Sequence, residues 1–191
     1  MAADEDIVRF AAEIHKNSNR LLTLINDIIR LSELDQVEEQ NCFEELDIYD
    51  IAQNCVEMLR LSAKKHDVTM ELHGVHRIIC ANRQMMDELV YNLCDNAIKY
   101  NVEGGSVTMT VETRGEKGVV TVADTGIGIE PEDQGRIFER FFRVDKSHSK
   151  ASGGTGLGLS IVKHAVQYHR GEIRLHSQPG QGTQIQVLLP M

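Results

Sequence analysis

Two short glycine clusters set the tightest limits on how this chain folds. Asp124-Thr125-Gly126-Ile127-Gly128-Ile129 directly follows a strand pattern, and Gly153-Gly154-Thr155-Gly156-Leu157-Gly158-Leu159 opens a helix pattern. In the first, two glycines let the backbone turn sharply and approach a flat ligand without side-chain obstruction. The Asp124 carboxylate at the strand end can accept a hydrogen bond from an exocyclic amine, such as that of adenine. Taken alone, D-x-G-x-G also fits an ordinary turn. In the second cluster, successive N–H groups at a helix N-terminus form a site for phosphate oxygens; a glycine-rich hinge without ligand is the plainer reading. No Lys-[Ser/Thr] follows these glycines, so this is not a P-loop, and the G-x-G-x-x-G spacing of a dinucleotide-binding turn is absent.

The rest of the pattern is helical first and α/β afterwards. From about Asp4 to Asp35, Ile7, Ile14, Leu21 and Ile28 recur every seventh residue. Phe10, Leu24 and Leu31 follow members of that series by three, Asn17 is the polar interruption, and Ala11, Ser18 and Ile25 widen the stripe. This is bundle or coiled-coil spacing, and about 30 residues make a helix of roughly 45 Å. Such a helix packs on its own domain or, as its length and regularity favour, in an intermolecular bundle. Residues 35–41 form a polar joint. Beyond it the periodicity predicts a strand at Phe43–Leu46, a helix at Tyr49–Lys65, strands at Val68–Leu72 and Arg77–Cys80, and a helix at Arg83–Tyr100. A hairpin of Val107–Glu112 and Val119–Ala123 follows, with a turn over Arg114–Gly118. Pro131 opens a short helix reaching about Phe138. Arg140–Gly154 reads as a mobile loop, Leu157–Tyr168 as a helix, and Glu172–Ser177 with Thr183–Leu189 as a closing strand pair.

The helix at 83–100 carries a third polar pattern. Asn92 and Asn96 are four apart and share a face, with Lys99 close to it. Leu89, Leu93 and Ala97 line the buried side. Paired asparagines can ligate Mg2+ through oxygen while a lysine meets phosphate charge; on most helices such residues simply face solvent.

Composition narrows the function classes. The chain of 191 residues is 41% hydrophobic and 26% charged, which suits a packed core rather than disorder. Twenty basic against 29 acidic residues leave a net charge of −9, a poor match to a nucleic-acid backbone. The apolar runs are too short to cross a bilayer. Cys42, Cys55, Cys80 and Cys94 lack metal-site spacing and suggest neither a zinc site nor a disulfide scaffold, which fits a reducing cytoplasm.

Together and in order, the segments resemble the ATP-binding domain of sensor histidine kinases of two-component systems. N-L-x-x-N-A-x-K-Y stands at 92–100, D-T-G-I-G-I at 124–129, R-I-F-E-R-F-F-R-V-D at 136–145, G-T-G-L-G-L at 154–159, and a closing Gly182-Thr183 pair follows. The wording is most similar to PhoR-like kinases of Gram-positive bacteria. The resemblance implies a Bergerat-type α/β sandwich, with a mixed sheet packed on helices. Residues 38–191 would form the ATP-binding domain, with a lid at about 140–153. It further implies that Asp124 binds the adenine amine, assisted by Thr183 through water, and that Asn92 and Asn96 hold Mg2+ on ATP. Lys99 would contact phosphate and Tyr100 would flank the base. Gly126 and Gly128 would shape the adenine end, and Gly154, Gly156, Leu157 and Gly158 the phosphate end. Phe138, Phe141 and Phe142 would anchor the lid. Arg143 and Lys146 would neutralise γ-phosphate charge, with His148 standing where many members carry arginine. In related gyrase-, chaperone- and MutL-type ATPases a glutamate occupies the position of Asn92 and activates water. An amide is no general base, so the site suits presenting ATP rather than hydrolysing it, and Glu88, a turn earlier, is expected to face solvent.

The family's phosphoacceptor pattern, H-[E/D]-x-x-[T/N]-P, does not occur in these residues. His15 is followed by Lys16-Asn17-Ser18 and is read as a non-acceptor, and residues 1–37 resemble the second helix of the dimerisation hairpin. The expectation is therefore a piece of a sensor kinase lacking its acceptor histidine, with little autophosphorylation of its own. The parent would be a homodimer in the bacterial cell membrane, with this region cytoplasmic and a response-regulator receiver domain as partner. An anti-sigma-factor-type serine kinase on the same fold, a hydrolysing ATPase and a degenerate, non-catalytic interaction module are the rival readings.

Overall fold

A computed structural model describes residues 43–144 and 155–191 continuously, with positions 7, 10, 11, 13–15, 17, 18, 21, 22, 25, 28 and 29 before them. Each of those earlier positions is helical, in keeping with the heptad pattern. The described large apolar members of the stripe are exposed, from Ile28 at 50% to Ile14 at 66%. Leu24 and Leu31 lie outside the described residues.

The remaining elements run β1 (Glu44–Asp47), α1 (Ile48–Lys65), β2 (Thr69–Gly74), β3 (Ile78–Ala81), α2 (Arg83–Lys99), β4 (Ser106–Arg114), β5 (Lys117–Asp124), α3 (Pro131–Gln134), α4 (Gly158–Tyr168), β6 (Glu172–Gln178) and β7 (Gly182–Pro190). Five strands form one sheet in the order β2-β4-β5-β7-β6, and β1 pairs with β3 in a small second sheet. The large sheet is mixed. β2 runs parallel to β4, with α2 in the crossover, and the other pairings are antiparallel. Alternating Val107, Met109 and Val111 of β4 are buried together with the apolar sides of α1, α2 and α4. Met85, Met86, Leu89, Val90, Leu93, Cys94, Ala97 and Ile98 are all buried, so α2 is the central helix of the core.

Local chemistry explains the boundaries. Asp47 caps α1 by accepting from the Tyr49 N–H at 2.9 Å, and Asn82 caps α2 by accepting from Met85 N–H at 3.0 Å. The hairpin strands run further than the sequence predicts, to an Arg114–Lys117 pair, leaving Gly115 and Glu116 as a two-residue turn. Gly115 has φ +63°, the conformation that lets a turn this short follow the strand twist. The helix opened by Pro131 ends at Gln134 rather than near Phe138. Gly135 follows immediately, Glu130 provides no side-chain cap, and the chain continues as turns.

Candidate functional site

β5 delivers Asp124 to its C-terminal end, where the glycine segment begins. Asp124 Oδ1 accepts from the Gly126 N–H at 2.8 Å and the Thr183 N–H at 3.2 Å. Both bonds fall on one oxygen, which leaves Oδ2 available to a ligand. Burial pushes this carboxyl above its ordinary value against the pull of those two N–H groups. Gly126 admits no larger residue: a Cβ there would lie 2.3 Å from the Tyr100 carbonyl. That carbonyl, at the end of α2, accepts from the Ile127 N–H at 3.1 Å, which joins the asparagine helix to the glycine segment. Gly128 turns with φ +69° against the Gln178 carbonyl. Tyr100 is 37% exposed beside this segment.

Polar residues not singled out from sequence hold this end rigid. Ser177 Oγ accepts from the Ile129 N–H at 2.9 Å and lies 2.8 Å from Thr183 Oγ1. Gln134 Nε2 donates to the carbonyls of Ile129 and Ser177, each at 3.0 Å. Asn101 Nδ2 donates to the Ala97 and Ser106 carbonyls, and its Oδ1 accepts from Thr125 Oγ1 at 3.2 Å. A serine near a strand end or an asparagine after a helix has no pattern that marks such a brace; only Thr125 sits inside a motif.

At the other end, α4 opens against α2. A Cβ on Gly158 would lie 2.8 Å from Asn92 Oδ1 and 3.3 Å from Asn96 Nδ2. The phosphate-type glycine segment and the asparagine pair therefore meet in space, although some 60 residues separate them in sequence. Asn92 Nδ2 donates to the Glu88 carbonyl at 2.7 Å and lies 3.4 Å from Glu88 Oε2, which aims the amide oxygen at Gly158. Glu88 is half-buried rather than solvent-facing, because it orients Asn92. Lys99 pairs with Asp95 at 2.6 Å and is 32% exposed. Leu157 is fully buried, and Gly156 has φ +79° with its carbonyl accepting from the Phe141 N–H at 2.9 Å.

That bond ties the aromatic segment to the glycine segment. Phe141 is 58% exposed, Phe138 is half-buried, and Phe142 carries the Arg136 guanidinium 4.3 Å from its ring centroid. Arg143 is half-buried at the edge of the described chain. Lys146, His148 and Gly154 lie outside the described residues.

Amide oxygens are hard donors, the type Mg2+ takes along with water and phosphate oxygens, so the Asn92–Asn96 pair fits that ion chemically. Among the described residues, one group of carboxylates and histidine has ligand-like spacing: Asp47, Asp50 and His76. It lies elsewhere, at the N-terminus of α1. Burial opposes ionisation of Asp47, but the N–H groups of Arg77 and Tyr49 and the His76 imidazole outweigh it and hold the carboxyl below its ordinary value.

Comparison with known proteins decides between the fold's possible families. The family described as histidine kinase-, DNA gyrase B- and HSP90-like ATPase matches residues 81–191. The chain belongs to this ATPase family. Within it, the similarity runs to the ATP-binding catalytic domains of sensor histidine kinases. The chain is 38% identical over 192 residues to the sensor-like histidine kinase SenX3 of Mycolicibacterium smegmatis, covering 99% of this chain and 50% of that protein. It is 32% identical to the sensor histidine kinase WalK of Bacillus subtilis, covering 95% of this chain and 30% of WalK. The chain thus spans about half the length of the SenX3 relatives it matches. Among solved structures, the mycobacterial sensor histidine kinase MprB superposes with a TM-score of 0.69 at 29% identity, over 78% of this chain and 97% of that one. Full-length ShkA in complex with AMPPNP superposes with a TM-score of 0.76 at 26% identity, over 89% of this chain and 35% of that one. Among the described residues of the ATPase domain, no helix is long and apolar enough to cross a membrane.

Proposed function

We propose that this chain binds Mg·ATP and presents the γ-phosphoryl group for transfer to a protein histidine, from which a response-regulator aspartate receives it. The observation that carries this reading is the half-used Asp124 carboxylate. One oxygen is fixed by two backbone N–H groups, the other takes neither bond, and the adjoining Gly126 leaves no room for a side chain. An acceptor held this way suits the adenine amine, with Thr183 beside it and Tyr100 flanking the base. Asn92 and Asn96 would hold Mg2+, which when bound neutralises phosphate charge. The N–H groups from Gly154 through Gly156 and Leu157 to Gly158 receive phosphate oxygens. Lys99, Arg143 and Lys146 add positive charge at that end, so catalysis is positioning and electrostatic stabilisation. The amide of Asn92 withdraws no proton from water, so hydrolysis is slow.

The division of labour in this reading follows the sequence. Residues 38–191 form the ATP-binding domain with a lid at about 140–153, and residues 1–37 form one helix of a dimerisation hairpin. The parent is a homodimeric sensor at the bacterial cell membrane, with this region in the cytoplasm and a receiver domain as partner. Titration of the chain with ATP, with and without Mg2+, tests the site. Saturable binding that weakens by about 10- to 100-fold in Asp124→Asn is expected from the loss of a buried charged hydrogen bond. Label from γ-labelled ATP should then pass to a supplied acceptor helix as acid-labile phosphohistidine. A folded chain that binds no nucleotide refutes the proposal. Acid-stable label on serine, or steady phosphate release, would move it to the serine kinases or the hydrolysing ATPases.

A further inference from the structure

His169, which follows the last residue of α4, is buried at 4% exposure, and nothing in the nucleotide chemistry above uses it. Its Nδ1 lies 2.7 Å from the Ala165 carbonyl, so that nitrogen carries the proton and donates. Nε2 is then an acceptor, and it takes the Asn82 backbone N–H at 2.9 Å. Asn82 is the cap of α2, receiving the Met85 N–H on its side chain and the Met86 N–H on its carbonyl. One neutral tautomer therefore ties the C-terminal end of α4 to the N-terminal end of α2. Phe43 and Tyr168 cover the ring, with centroids 5.3 Å and 5.2 Å away.

The two helices touch again at the nucleotide end. Roughly three turns back from His169, α4 opens at Gly158 against Asn92 and Asn96. Slippage of α2 along α4 would carry both asparagines past Gly158, and the His169–Asn82 bond opposes that slippage.

We propose that His169 is a positioning residue for the nucleotide site: by accepting from the Asn82 N–H it fixes the register of α2 against α4, and so the placement of Asn92 and Asn96. The proposal rests on the nucleotide-binding reading. Protonation of Nε2 turns the acceptor into a donor facing a donor, so the device fails in acid. Burial already holds the imidazole below its ordinary value, opposed by its bond to Ala165. The charged residues next in sequence to its contacts Phe43 and Asn82 are Glu44, which opens β1, and Arg83, which opens α2; they pair with each other at 3.3 Å, and Arg170 follows His169 itself. Tyr168 is the other titratable side chain against the ring.

The test compares Mg·ADP affinity in the wild type, His169→Phe and His169→Gln by calorimetry, from about pH 7.5 down to about 5.5. Phenylalanine keeps the ring packing and strands the Asn82 N–H; glutamine keeps an acceptor and does not titrate. Expected are about 5- to 10-fold weaker binding in His169→Phe and affinity within about 2-fold of wild type in His169→Gln at the upper pH. As pH falls, wild-type affinity should drop relative to His169→Gln, a ratio from which the titration of ADP and of Asp124 cancels. Equal affinities and parallel pH profiles in all three would overturn the proposal. So would a loss in His169→Phe that glutamine does not rescue, since that is packing alone. If His169→Phe fails to fold, the wild-type to His169→Gln ratio still decides. No binding by folded wild type removes the nucleotide reading itself, and this inference with it.

Discussion

Two titratable residues, Asp124 half-buried and His169 buried, give the protein opposite responses to pH. Asp124 has its pKa raised, chiefly by burial. Its contribution to stability is complete below the ordinary carboxylate range and is lost as pH rises through the raised value. At neutral pH the charge is thus held at a cost to the fold. Asp124→Asn retains an oxygen for the Gly126 and Thr183 N–H groups and removes that cost. We expect it to melt at the same or a higher temperature than wild type, with the gap wider at neutral than at acid pH, while nucleotide affinity falls. Denaturation curves at both pH values check this. His169 has its pKa lowered, chiefly by burial, so its contribution is complete above about pH 6.5 and is lost as pH falls through the lowered value. Wild type should lose stability relative to His169→Gln below that pH. Asp124 is legible in the sequence because a carboxylate beside two glycines at a strand end is a short-range pattern. Ser177, Gln134 and His169 are not, because each acts on residues that only the folded topology brings near.

The elements themselves were mostly legible, for a physical reason. Strand alternation and helical periodicity are imposed locally by one buried face, so α1, α2 and α4 begin and end within one or two residues of the periodic pattern. The departures occur where backbone geometry decides: the two-residue turn at Gly115 and the early end of α3 at Gly135. Packing between elements is a different matter, and the contact of Gly158 with α2 shows it. Gly158→Ala places a methyl only 2.8 Å from Asn92 Oδ1. Asn92 must rotate off Glu88 to make room. Stability should change little, since Gly158 is the first residue of α4 and the contact is with the end of a side chain. Phosphoryl transfer to a supplied acceptor should fall by about 100-fold, the usual scale for a misplacement near 1 Å. A melting curve beside a single-turnover transfer assay separates the two effects.

At the scale of the whole molecule, the family resemblance implies a mixed sheet on helices, whereas periodicity does not give the strand order, because which strands pair is settled by long-range burial. The parallel β2–β4 pairing across α2 is the clearest instance. The N-terminal helix leaves an apolar stripe exposed, and we expect it to act separately from the nucleotide site. Removal of residues 1–37 should leave nucleotide affinity unchanged and abolish any concentration-dependent association. Ile14→Glu, the most exposed described member of that stripe, should do the same in the full chain; sedimentation at several concentrations measures both. The strand order has a consequence for solubility. The outermost strands are β2 and β6, and both display ionisable side chains: Glu71 and His73 on one, Glu172, Arg174 and His176 on the other. Adding a foreign strand to either margin would bury these groups or set like charges side by side. Among the described residues, both outer strands of the sheet thus carry charges that disfavour edge-to-edge association.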